Sequence, residues 1–193
     1  MPFNSGDLAG QAGLGGFYNP GPNGRGDYSL NPNASIADIN WKATDARRAF
    51  NIAAAGKIYL RKFPKSTGDA SPDYTPLIRY SEIMLNLAEA LVRQNNTVDA
   101  RAVALLNAIR QRSDNTTTFT PADVASLLAL IATERRIELL GEGFRSIDIM
   151  RLGQGFPAKD VAMAISTSSS QYIWPIPSSE RQQNTLCEQN PGY

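Results

Sequence analysis

A chain of 193 residues that is 42% hydrophobic has enough apolar side chain for one sizeable core, and its 19 basic and 18 acidic residues leave a formal charge of only +1. That balance excludes a field able to gather nucleic acid or anionic lipid. The absence of histidine excludes the commonest general base and zinc ligand together with Ser-His and Cys-His nucleophile systems, and the one cysteine, Cys187, excludes an internal disulfide framework and reads as a small apolar filler.

Residues 1–32 are crowded with Gly, Pro and Asn and have no hydrophobic period, so they read as a long loop from inside a longer protein, with Met1 expected to open a truncated chain. Neither a signal-peptide layout nor a run of about 20 apolar residues is present. Thr44 or Asp45 can cap a short helical stretch that Gly56 ends. Residues 57–63 alternate polar and apolar, the period of a short strand or of one arm of a small hairpin, and residues 66–72 read as loop.

The spacing predicts a long helix over 75–94, with Tyr80, Met84, Leu87 and Leu91 as its apolar stripe and Ile83 and Ala90 widening it. Thr97 can cap a second helix in which Ala100, Val103, Leu106 and then Ile109 or Arg110 continue toward Arg112, and the short connection forces the two helices antiparallel. Thr120-Pro121-Ala122-Asp123 reads as a third helix start, with threonine as cap and proline in the first turn, leading through Val124, Leu127, Leu128, Ile131, Ile137 and Leu140 to Gly141. After Gly143 a short helix carries Phe144, Ile147, Ile149 and Met150 to Arg151. The predicted fold is mainly α: tetratricopeptide-like helical hairpins with long irregular loops and one small β hairpin. It is read as a single domain, with an irregular loop region at 1–40, a helical core at 41–153 and an irregular segment at 154–193 packing on that core. In the last segment Trp174, between extended prolines, is expected to plug the core, Ser178 to start a helical turn, and residues 189–193 to form a turn.

Glu134, Glu138 and Glu142 fall at steps of four, interleaved with Arg135, Arg136, Arg145, Asp148 and Arg151. Paired carboxylates can serve acid-base or metal chemistry. Alternating charges at steps of three and four, such as Glu142, Arg145, Asp148 and Arg151, more readily build ion pairs that lock one helix to the next, and that is the expectation here. No loop spaces its acids as an EF-hand does, so no metal or cofactor is expected. Gly13-Leu14-Gly15-Gly16 lacks the Lys-Ser/Thr pair of a phosphate loop and reads as plain flexibility. On the loops, Phe17, Tyr18, Tyr28 and Trp41 stand out, because aromatic faces stack on the apolar faces of sugar rings while Asn or Arg bond hydroxyls. Burial in a core is their commoner use.

Several blocks together carry a resemblance. Residues 74–90, YTPLIRYSEIMLNLAEA, are followed by LNAIRQR at 106–112, then by ERRIEL at 134–139, EGFR at 142–145 and DIMRLG at 148–153, and finally by PIP at 175–177, Glu180 and QNPGY at 189–193. With the weaker DARR at 45–48, the chain resembles the C-terminal part of the SusD/RagB family over residues 45–193. It departs from the family pattern at Leu140-Gly141, where an aromatic usually precedes Glu-Gly, at Leu152, where tryptophan is common, and in its much shorter length. The resemblance implies a mostly helical, surface-exposed lipoprotein of the outer membrane of a Bacteroidetes-type bacterium, with its lipid anchor in an N-terminal half absent from this chain. It would bind a glycan, or in some members a peptide, and pass it to a SusC-type TonB-dependent transporter, without catalysis. The matching motifs are mainly structural, so ligand contact is assigned to the aromatic, Asn-rich loop: Phe17, Tyr18, Asn19, Tyr28 and Trp41. Two rivals remain: a helical-repeat scaffold that binds a protein or peptide partner without sugar, and a glycoside hydrolase using a pair of glutamates.

Overall fold

The structure is a computed structural model that describes residues 13–65, 73, 75–159 and 162–193. The chain divides into two compact units, Met1–Glu142 and Gly143–Tyr193. The expected loop at 66–72 and the first twelve residues lie outside the described residues.

The first unit begins with a short helix, α1 (Leu14–Tyr18), inside the stretch read as irregular. Gly15 fits there because it has no side chain: a Cβ at this position would fall 2.2 Å from the Lys65 carbonyl oxygen. Asp45, not Thr44, is the cap expected near residue 45, its carboxylate accepting from the Arg47 amide. It opens a 3-10 turn, Ala46–Phe50, and not a helix running to Gly56. Asn51–Ala54 is instead strand β1, paired antiparallel with β2 (Lys57–Leu60), with Asn51 opposite Leu60 and Ala54 opposite Lys57. Ala55 and Gly56 both take positive φ, 48° and 73°, the two-residue primed turn whose twist matches the strands.

Three helices build the body of this unit. The helices are α2 (Tyr80–Asn95), α3 (Ala100–Ser113) and α4 (Val124–Glu138), and each packs on the other two. The predicted apolar stripe of α2 is out of phase by one residue. Ser81, Leu85, Ala88, Glu89 and Val92 are the buried positions, while Tyr80 is 80% and Ile83 48% exposed. Small Ala88 lets α3 and α4 approach, and Leu85, Val92, Leu106, Ile109, Leu127 and Ile131 close a dry core with Ala102 and Phe119. Asn96 ends α2 in the left-handed conformation, which asparagine tolerates. The caps of α3 and α4 are Asp99 and Asp123, each three residues or fewer from the threonine expected to serve. Asp123 and Ser126 form a reciprocal capping box.

The second unit starts with α5 (Phe144–Arg151), which buries Asp148 and Ile149. After it the chain runs mostly irregular, with isolated bridges Phe156 to Ile165 and Lys159 to Ala162. A 3-10 turn (Ser170–Tyr172) and a one-and-a-half-turn helix, α6 (Ser178–Gln183), complete it. Side chains tie this end together: Gln189 bonds both the amide and the carbonyl of Ile176, Asn190 donates to the Trp174 carbonyl, and the Tyr193 hydroxyl donates to that of Ile173. Trp174 is 85% exposed, so it does not plug a core. Its backbone carbonyl, and not its indole, ties it to Asn190.

Candidate functional site

Charged residues converge on the C-terminal half of α4. Asp45 sits under the 3-10 turn and receives Arg47 through Nε at 3.0 Å and Nη2 at 2.7 Å, and Arg110 of α3 through Nη1 at 2.8 Å. Arg47 then donates from Nη1 to Glu134 at 2.8 Å and Glu138 at 2.9 Å, and Arg110 pairs with the other Glu134 oxygen at 2.5 Å. One helical turn on, Arg79 reaches Glu138 at 2.9 Å and Glu142 at 2.8 Å, Arg112 donates to both Glu138 oxygens at 2.8 Å, and Lys62 pairs with Glu142. Lys62 also donates to the Glu138 carbonyl at 2.7 Å, and Arg79 does so at 2.8 Å, so both cations close the C-terminal end of α4 where its dipole is negative.

This arrangement bears on the two readings of the glutamate row. Burial alone would raise Glu138, but hydrogen bonds and charge from Arg112, Arg79 and Arg47 outweigh it and bring its carboxyl down to about 2. Glu134 moves the other way, since burial pushes it up against the pull of Arg47 and Arg110. Two carboxyls driven apart resemble an acid-base pair. Here Glu134 is 0% exposed, between two guanidinium groups, and no substrate proton can reach it. Burial likewise lowers Lys62, opposed by Glu142. The remaining charges follow the same use: Arg135 bonds Asn86 of α2, Arg136 bonds Asp38, and in the second unit Arg151 donates to Asp148 at 2.7 Å. Glu142, the first member of the expected ladder, pairs with Lys62 and Arg79.

Against this network lies a half-open cavity of about 310 Å³. Trp41, Phe50, Leu60 and Leu140 give it apolar wall, and Lys62, Arg79, Arg112 and Glu138 give it charge.

The aromatic loop forms a separate feature of the same unit. Tyr28 lies between Phe17 and Tyr18, with ring centroids at 5.9 and 6.0 Å, and Tyr18 stacks on Phe63 at 6.4 Å. The Arg25 guanidinium sits 4.4 Å above the Phe17 ring. Backbone bonds from Tyr28 to Phe17 and from Arg25 to Gly16 hold the two arms of the loop together. Burial raises the Tyr18 hydroxyl, helped by Tyr28. Gly141 meets this cluster from the end of α4: its φ is 79°, and a Cβ there would fall 2.3 Å from Leu60 Cδ2 and 3.6 Å from the Tyr18 ring.

Of the five residues expected to touch ligand, Phe17, Tyr18 and Tyr28 come together, with Tyr28 54% exposed. Asn19 and Trp41 are only 1% and 2% exposed. Asn19 donates to the Phe63 carbonyl, and Arg48 lies 4.4 Å over the Trp41 ring, so these two support the fold. Sequence reading overlooked Arg25, although an arginine three residues before Tyr28 was the available signal. It also overlooked Lys62, which nothing in the local pattern marks.

Comparison with known proteins agrees with this architecture. The SusD family model matches residues 28–166. SusD-like protein P38 of Formosa agariphila is 31% identical over 176 aligned residues, covering 83% of this chain and 34% of that protein. Among solved structures, a Bacteroides vulgatus protein provisionally described as a sugar binding protein is 31% identical over 78% of this chain and 36% of its own, with a TM-score of 0.64. A SusD superfamily protein of Bacteroides thetaiotaomicron is 29% identical over 79% and 38%, with a TM-score of 0.65. Another from Bacteroides vulgatus shares the fold across 100% of this chain and 45% of its own at a TM-score of 0.75 and 24% identity. This chain thus spans about a third of the curated relative's length. With the motif blocks, the helical body and the family match in agreement, the chain belongs to the SusD family.

Proposed function

We propose that this chain is part of an outer-membrane, surface-exposed lipoprotein that captures oligosaccharide and passes it to a SusC-type TonB-dependent transporter, without catalysis. The observation that carries the reading is the use of charge: the carboxylates of the α4 row are held by guanidinium and ammonium groups, so the geometry favours binding over turnover. Family membership and the sugar-binding description of one relative support the ligand class. Ligand contact is assigned to Phe17, Tyr18 and Tyr28, whose grouped rings offer an amphipathic platform, while buried Asn19 and Trp41 support the fold.

Calorimetric titration with a panel of neutral oligosaccharides tests the assignment. Binding that is insensitive to salt and lost on Tyr28→Ala is the expected result, together with co-purification of the full-length protein with its transporter. Hydrolysis of any glycan that Glu138→Gln abolishes would overturn the non-enzymatic reading. One observation favours a second reading, a helical scaffold for a protein partner: Leu77, Ile78 and Tyr80 at the head of α2 are 77%, 74% and 80% exposed. Saturable binding to the transporter with no response to any sugar would select it.

A further inference from the structure

The ion network does not balance, and the imbalance lies at the cavity. Among the described residues it joins five cationic side chains, Arg47, Lys62, Arg79, Arg110 and Arg112, to four carboxylates, Asp45, Glu134, Glu138 and Glu142. Arg47 and Arg110 are buried, Lys62 and Arg79 are partly exposed, and the charge of all four is committed to those carboxylates. Arg112 differs. Its side chain is 55% exposed, and a single nitrogen, Nη2, makes both of its bonds to Glu138. Its Nε and Nη1 have no partner among the described residues, so three N–H donors of a permanently charged group are unspent.

Those donors belong to a residue lining a cavity of about 310 Å³, at the small end of the ~300–1,000 Å³ range of small-molecule sites. The rest of the wall sorts by chemistry. Trp41 and Phe50 supply ring surface and Leu60 and Leu140 aliphatic surface, while Glu138, the carboxylate in the lining, has its two oxygens occupied by Arg47, Arg79 and Arg112. A neutral polar ligand would find few open donors or acceptors here. An oxyanion would find unspent guanidinium N–H donors with the positive excess of the network behind them.

We propose that this cavity binds a small ligand bearing an oxyanion, a carboxylate or a sulfate carried on a body the size of one sugar ring, with Arg112 as the group that recognises the charge. Arg47, Lys62 and Arg79 set the potential without touching the anion, and Phe50 and Leu140 pack against the ligand body, with buried Trp41 in the wall behind them. The site is separate from the Phe17, Tyr18 and Tyr28 platform and does not depend on it: a chain unable to bind any neutral oligosaccharide would still take the anion.

The test is titration of the full chain with sodium D-glucuronate, with inorganic sulfate and with D-glucose, followed by calorimetry and by the indole N–H resonances. Glucuronate is expected to saturate one site and glucose to give no saturation. Sulfate binding as tightly as glucuronate would assign recognition to the charge alone, and weaker sulfate binding would assign part of it to the rings. Two tryptophans provide an internal control, since Trp41 lines the cavity and Trp174 is 85% exposed in the other unit. The Trp41 signal should move and that of Trp174 should not. Arg112→Gln should weaken glucuronate about tenfold, the loss of one charge-assisted hydrogen bond. Arg93→Gln, an equal charge change at a residue paired with Glu89 on α2, should leave affinity unchanged. No saturation by either anion, equal loss in the two variants, or movement of Trp174 without Trp41 would overturn the proposal. If Arg112→Gln does not fold, the wild-type indole shifts decide alone.

Discussion

Two cores of different chemistry lie against each other in the first unit. Between α2, α3 and the first half of α4, side chains such as Leu85, Val92, Leu106 and Ile131 are 0% exposed and wholly apolar. Around the second half of α4, Glu134 and Arg110 are equally sealed, and Asp45 is 1% exposed. Arg110 stands at the boundary, its guanidinium 5.0 Å over the Phe119 ring on one side and bonded to Asp45 and Glu134 on the other. The apolar part is held by shape and tolerates local relaxation. The ionic part depends on every member, because a buried charge that loses its partner keeps its desolvation cost.

The comparison can be broken most severely at Glu134. Glu134→Ala should cost about 3–5 kcal/mol by leaving Arg47 and Arg110 without one of their carboxylates, measured as a fall in the urea midpoint. In the apolar part, Ile131→Ala should cost about 2–5 kcal/mol through the cavity it leaves. The two losses overlap in size, so acid is needed to tell them apart. Glu138 and Asp45 have depressed folded values, which means their contribution is fully present above the unfolded carboxylate range and is lost as pH falls from about 5 toward 2. For Glu138, taken from its ordinary 4.5 to about 2, this is on the order of 3 kcal/mol. Glu134, raised by burial, works in the opposite sense and offsets part of it. Stability of the wild type and of Ile131→Ala should therefore decline in parallel with acid. That of a Glu138→Gln variant should decline less steeply. The smallest effect tests a helix end: Asp123→Ala removes the capping box and should cost about 1 kcal/mol, without altering the acid response.

Much of this was legible in the sequence, and the failures have physical causes. Steps of four brought out Glu134, Glu138 and Glu142 and their role in tying elements together. Their partners Arg79 and Lys62 were invisible, because they lie 59 to 80 residues away in sequence and meet only through the fold. The phase of α2 failed because the helix carries two adjacent apolar rows, and the buried one, Ser81, Leu85, Ala88 and Val92, begins with a polar residue and includes a small one, so it did not stand out beside the larger side chains of Tyr80, Met84, Leu87 and Leu91. Strand β1 failed because Asn-Ile-Ala-Ala has no strand character of its own, and pairing with β2 imposes it. Both aspartate caps were overlooked in favour of threonines two and three residues earlier in the chain. At the candidate site, loop position marked all five aromatic-loop residues alike, and only the fold separates the grouped rings from buried Asn19 and Trp41.

Arg47 bridges to positions 87 and 91 residues further along the chain, whereas α2 and α3 are joined by only four residues, Asn96 to Asp99. Closing the shorter loop costs far less entropy, so the helical hairpin is expected to assemble early and the guanidinium groups to remain hydrated until the last long-range closure. In the native protein the reverse order should appear: amides of the Ala46–Phe50 turn should exchange with solvent through a smaller opening than those of α2 and α3.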